Sequence, residues 1–210
     1  SRITTILVFW SADVFYMSLA LNEWRPSIML KWSGALILLF FSPNLMFSQH
    51  SEHQYLREKA IQNFKVLGTH PDEAFEEAGI IENEARLIDA MDAELKAIET
   101  ICTYYRIKTD FENMMGAARK LEQKSYQYKK PVSQLVAKRF LFEAYLFTGL
   151  PERALQELES AEILLPKLTA ADSTHIIARF NFYVAYSNYH LLKQDYEKQL
   201  KYIKLAGNEL

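Results

Sequence analysis

Residues 149–166 read GLPERALQELESAEILLP. Gly149 and Pro151 stand together at the start, Ala154 and Ala161 lie seven apart among longer side chains, and Pro166 closes the stretch. An isolated amphipathic helix does not need two alanines at that spacing. A helix that another helix must approach closely does. Gly149 suits the end of a preceding helix, because glycine enters the left-handed conformation without a Cβ penalty. Pro151 suits the first turn of a new helix, where its missing N–H is not needed, and Pro166 suits its stop.

The pattern recurs along the chain, the first thing to look for in an unfamiliar sequence. PDEAFEEAGIIENEA (71–85), DFENMMGAARKLE (110–122) and DYEKQLKYIKLA (195–206) align with it, placing Thr69, Thr109 and Gln194 under Gly149. The steps between these turn positions are 40, 40 and 45 residues. Eight residues before each turn stand Ile61, Ile101, Leu141 and Tyr186; six after it stand Phe75, Met115, Leu155 and Leu200. Apolar positions spaced three or four apart mark one face of a helix. Each unit therefore reads as a helix, a short turn and a second helix, giving an all-α fold of about eight helices in four antiparallel pairs.

At Leu141, Tyr145, Gly149, Ala154, Ala161 and Pro166 the chain resembles the tetratricopeptide repeat family. The resemblance covers roughly 51–210. It departs from the family pattern where Met114, Gln199, Ile81 and Leu121 replace alanines, and where Cys102 and Phe142 replace glycines. Repeats of 40 to 45 residues exceed the family's usual length of about 34 and imply longer helices or linkers. The resemblance implies a right-handed α-solenoid of about four helix hairpins, with the first helices lining a concave groove. The family's groove positions fall six and ten residues before each turn. They place Asn63, Thr103, Glu143 and Asn188 in one row, and Lys59, Glu99, Arg139 and Val184 in the other. Arg106 and Arg139 would add charge selectivity to a groove that holds a protein or peptide. Lys59 and Asn63 match half of the carboxylate clamp of chaperone-binding members. Thr100, Val136 and Phe140 replace its other half, so a chaperone C-terminus is not the expected ligand.

Residues 29–48 have a different character. Met29, Lys31, the apolar run Ala35–Phe41 and Ser48 follow the three-part layout of a secretory signal peptide, with cleavage expected after Ser48. Residues 1–28 are apolar enough for a membrane helix, or are read-through ahead of a start at Met29. The domain of interest is then 49–210. KLAGNEL (204–210) follows the last repeat helix directly, and a continuation beyond Leu210 is expected. An exported leader followed at once by long, degenerate repeats resembles the exported tetratricopeptide regions of Bacteroidetes-type regulators, which end in a LuxR-type helix-turn-helix or a histidine kinase. That resemblance implies a periplasmic, possibly membrane-tethered, sensory and protein-interaction domain; the alternative is a free-standing periplasmic or outer-membrane assembly adaptor.

The chemistry of the sequence points away from an enzyme. Histidines 50, 53, 70, 175 and 190 form no ligand pattern with cysteines or carboxylates, and no cofactor motif is present. His190 is expected between helices and His175 just inside a helix capped by Asp172 or Ser173. The lone Cys102 is expected to be a buried small residue rather than a reactive thiol. Tyr183, Tyr186 and Tyr189 form either a helix-packing stripe or an aromatic lining for a peptide. Without residues 1–48 the chain has 21 basic and 24 acidic residues, and this near-neutral balance argues against nucleic-acid binding by this segment. The charges are nonetheless segregated. Ten acidic residues lie between Asp72 and Glu99, and nine basic ones between Arg106 and Arg139. They are either solvated faces or a field that orients a charged partner or a second copy of the chain.

Overall fold

The computed structural model describes residues 50–168 and 172–209. The signal-peptide layout in 29–48 and the apolar stretch 1–28 lie outside them. The described chain is all helical: α1 (50–66), α2 (Pro71–Leu87), α3 (Met91–Ile107), α4 (Phe111–Gln127), α5 (Pro131–Phe147), α6 (Pro151–Glu162), α7 (Ser173–Leu192) and α8 (Tyr196–Gly207). A short 3-10 turn, Leu165–Lys167, lies between α6 and α7. Among the described residues no helix is long and apolar enough to cross a membrane.

The extra length of the repeat is in the helices. Helices α2 to α5 have 17 residues each, and the turns after them have three. Helix starts at Pro71, Met91, Phe111, Pro131 and Pro151 therefore fall every 20 residues. The turns are alike. Asp89, Thr109, Lys129, Gly149 and Gln194 all have positive φ, between 55° and 80°. After each of them an N–H reaches back over the turn, as in Asp110 N–H to Tyr105 O (2.9 Å) and Leu150 N–H to Tyr145 O (2.8 Å). This closes the helix with its last carbonyls satisfied. Thr69 is the exception: its turn runs through bonds from Thr69 and His70 N–H to Val66 O instead. At the helix starts, Pro71, Pro131 and Pro151 occupy the first turn, while the Asp110, Asp172 and Asp195 side chains accept N–H bonds as caps. His175 lies inside the helix that Asp172 caps, as its sequence context predicts.

Successive helices pack on each other, and α3 also touches α5 and α5 touches α7. Small residues let them approach. Ala78, Ala85, Ala118, Ala154 and Ala161 are wholly buried. A cluster around α1 to α3 is dominated by alanines (Ala60, Ala85, Ala90, Ala93, Ala97), while the larger core beyond it holds Phe140, Phe142, Phe182 and Leu158. Met114, Ile81 and Leu121, which stand where the family has alanine, are buried as well. Cys102 is buried, and burial pushes its thiol pKa well up, out of the reactive range. The tyrosine stripe of α7 is packing. Tyr186 and Tyr189 are buried, Tyr186 stacks on Tyr202 of α8 at 4.5 Å, and His190 lies parallel to the same ring at 5.5 Å.

The two segregated charge runs meet inside the domain. Lys108 pairs with Asp72 (2.9 Å), Lys120 with Glu82 (2.5 Å), Lys124 with Glu94 (2.9 Å) and Lys130 with Asp92 (2.7 Å). A second network joins α4, α5 and α6. Lys138 bridges Glu122 (2.6 Å) and Glu157 (2.7 Å), and Arg119 reaches Glu122, Glu157 and the Tyr145 hydroxyl. Burial pushes the Glu122 pKa up, but hydrogen bonds from Lys138 and Arg119, together with their charge, outweigh it and hold the group below its ordinary 4.5. A carboxylate whose pKa is depressed on folding stabilises the fold above its unfolded pKa, and the contribution disappears as pH falls through the folded one. The chemical-denaturation midpoint is therefore expected to drop as pH is lowered from about 5 to about 3, with a shallower drop in Lys138→Met. An identical pH profile in that variant would show that Glu122 is not responsible.

Candidate groove of the odd-numbered helices

A cavity of about 580 Å³ is lined, among the described residues, by α1, α3, α5 and α7 alone. The pairing of helices explains this. Successive helices pack on each other, and contacts of α3 with α5 and of α5 with α7 bring these helices together.

The floor is apolar. Ile61 and Phe64 come from α1, Leu95 from α3, Val132 and Val136 from α5, and Ile177 from α7. Ile177 is 56% exposed, a large apolar side chain facing solvent within a groove. Ser133 and Asn181 add polar groups that have no hydrogen-bond partner among the described residues.

Four cations and two carboxylates complete the lining. Lys96 is engaged, 2.7 Å from Glu99 and 4.4 Å over the Phe64 ring. Asp92 is neutralised by Lys130 outside the cavity. Arg139 is bonded to Glu143 at 2.8 Å and lies over the Phe140 ring at 4.6 Å. Arg106 is 3.8 Å from Glu143 and 41% exposed, and Arg57 has no ion pair among the described residues. The groove thus keeps Arg57 and Arg106 as its least neutralised charges.

Three of the residues marked out by the sequence, Glu99, Arg106 and Arg139, line this cavity. Glu143 does not line it but is a carboxylate shared by Arg106 (3.8 Å) and Arg139 (2.8 Å). The others do not line it. Asn63 is buried and its side-chain amide donates to Ala74 O at 2.8 Å, tying α1 to α2. Thr103 is buried and its hydroxyl donates to Glu99 O one turn back. Lys59 faces α2, 2.8 Å from Glu77 and 3.4 Å from Glu84. Asn188 is exposed away from the cavity.

The residues that sequence reasoning missed lie further toward the helix N-termini. Lys96, Val136 and Asn181 stand thirteen residues before their turns, and Asp92, Val132 and Ile177 seventeen before. No group of three or more His, Cys, Asp or Glu side chains able to hold a metal occurs among the described residues. Neither a family model, nor a curated protein, nor a solved structure matches the chain.

Proposed function

We propose that residues 49–210 form a tetratricopeptide-type right-handed solenoid that binds an extended polypeptide segment in the groove of its odd-numbered helices, without catalysis. The observation that carries this reading is the lining: every described residue of the cavity comes from α1, α3, α5 or α7. An apolar floor with a few convergent polar groups is what a binding cleft needs. Free hydrogen-bonding groups such as Ser133 and Asn181 suit the backbone of an extended chain. Ile61, Val132, Val136 and Ile177 suit one or two apolar side chains, and Arg57 and Arg106 suit a carboxylate. We place this domain in the periplasm as the input module of a membrane-bound regulator. That placement is supported by the leader layout in 29–48 and by the resemblance it carries.

The test is selection of displayed random peptides on the full chain, repeated with Ile177→Asp. Because Ile177 is exposed, the substitution should leave the fold intact while burying a charge under any ligand. Peptides selected on the native chain are expected to carry apolar and acidic residues. They should bind the Ile177→Asp protein at least about tenfold more weakly. Equal binding to both proteins would remove the groove as the site.

A further inference from the structure

We infer that Glu143 sets how strongly the groove selects an acidic side chain, by holding back Arg106, the arginine that receives it. The inference rests on the reading of the groove as a polypeptide site and adds the residue that tunes it. Two arginines of the lining share this one carboxylate, and they share it unequally. Arg139 and Glu143 stand four residues apart on α5, and Arg139 Nη1 donates to Glu143 Oε1 at 2.8 Å. Both side chains are largely buried, at 17% and 18% exposure, and the Arg139 guanidinium also lies over the Phe140 ring. That pair is held in place. Arg106 reaches across from α3. Its Nη1 is 3.8 Å from Glu143 Oε2, close enough for attraction and too far for a hydrogen bond. Its guanidinium donates no hydrogen bond among the described residues.

The other charges of the lining are placed differently. Glu99 is bonded to Lys96, and Asp92 is paired with Lys130. Arg57, on α1, has no ion pair among the described residues, so no carboxylate restrains it. Arg106 alone lines the groove with its donors open and part of its charge already answered. A guanidinium fork takes a carboxylate through two parallel hydrogen bonds. An Asp or Glu of the ligand can therefore bond Arg106 and leave the Arg139–Glu143 pair intact, but it does so against repulsion from Glu143. The fixed carboxylate thus lowers affinity for acidic segments and leaves neutral ones untouched. Removing its charge raises the first and not the second. Arg106 is 41% exposed, so the effect is moderate in size.

The probes are the acidic peptides selected by display on the native full chain, labelled with fluorescein. Each is paired with its own neutral version, in which Asn and Gln replace Asp and Glu. By fluorescence anisotropy, Glu143→Gln should bind the acidic peptide about fivefold more tightly than the native chain does. That gain should shrink as salt is raised, and the neutral version should bind both proteins equally. The gain should vanish when Arg106→Gln is added and persist when Arg57→Gln is added, which places the effect on Arg106. A misfolded variant cannot imitate a gain in affinity. If Ile177→Asp weakens binding but Glu143→Gln leaves the acidic peptide's affinity unchanged, the groove stands and this inference is overturned. It is overturned as well if the gain extends equally to the neutral version, if it survives Arg106→Gln, or if the selected peptides carry no acidic residue. Peptides that bind regardless of Ile177→Asp would remove the groove itself, and this inference with it.

Discussion

Ala161→Leu will lower the stability of the domain by roughly 1–3 kcal/mol. Ala161 is wholly buried in α6, within the same core cluster as Leu158, Leu164 and Leu168. The register itself accepts large side chains: the equivalent positions in α2 and α4 are Ile81 and Leu121, and both are buried. What differs is the segment after α6. Here a 3-10 turn replaces the three-residue turn found after α2 and α4, and it brings Leu164 and Leu168 into the core. Ala161 is buried in one cluster with those two leucines, so three further carbons at position 161 enter an already packed core. Urea titration should show a lower midpoint at unchanged slope. Glu159→Leu on the exposed side of the same helix serves as the control and should stay within about 0.5 kcal/mol of the native chain. A native midpoint for Ala161→Leu would mean that the helix contact at this position is not as described.

The 40-residue period was legible because alanines, Gly149 and the prolines punctuate it. The 20-residue half-period was not. Asp89 and Lys129 make the same left-handed turn as Gly149, yet neither residue type announces it. A non-glycine residue there costs about 1–2 kcal/mol, which the backbone bonds over each turn and the packing of the flanking helices offset. The cavity is lined by the helices that the groove expectation named, and its lining extends further toward their N-termini than the positions expected. Positions six and ten before the turn belong to a shorter repeat. With 17-residue helices, each odd helix gains most of a turn at its N-terminal end, and the cavity follows it to Lys96, Val136 and Ile177. Asn63 and Thr103 look like ligand-binding polar residues in the sequence because composition cannot tell a polar side chain aimed at a ligand from one bonded to a backbone carbonyl. The charge runs concealed their purpose for a related reason. Lys108, Lys120, Lys124 and Lys130 find their partners in Asp72, Glu82, Glu94 and Asp92, and no spacing along one helix reveals a pairing across two.

That pairing has a measurable consequence at Lys124. Glu94 is 1% exposed, the most deeply buried carboxylate described. It receives a hydrogen bond from the Tyr128 hydroxyl at 2.5 Å on one oxygen and faces Lys124 at 2.9 Å on the other. The hydrogen bond and charge of Glu94 raise the Lys124 pKa above its ordinary 10.5, against the smaller pull of burial. A cation whose pKa is raised on folding stabilises below its unfolded pKa, and the contribution is lost only as pH rises through the folded value, so the pair is intact at neutral pH. Lys124→Ala removes the one cation that faces this carboxylate among the described residues, and water scarcely reaches that carboxylate. Breaking a buried pair from one side leaves the remaining charge uncompensated and costs about 3 kcal/mol. Replacing both partners by apolar residues removes that charge as well, and such exchanges are often neutral. Lys124→Ala should therefore lose about 3 kcal/mol at neutral pH, whereas Lys124→Ala with Glu94→Leu should recover most of it. The two-site cycle by chemical denaturation isolates the coupling. If the double variant is as unstable as the sum of the single ones, Glu94 and Lys124 act independently, and the acidic and basic runs are not what joins α3 to α4.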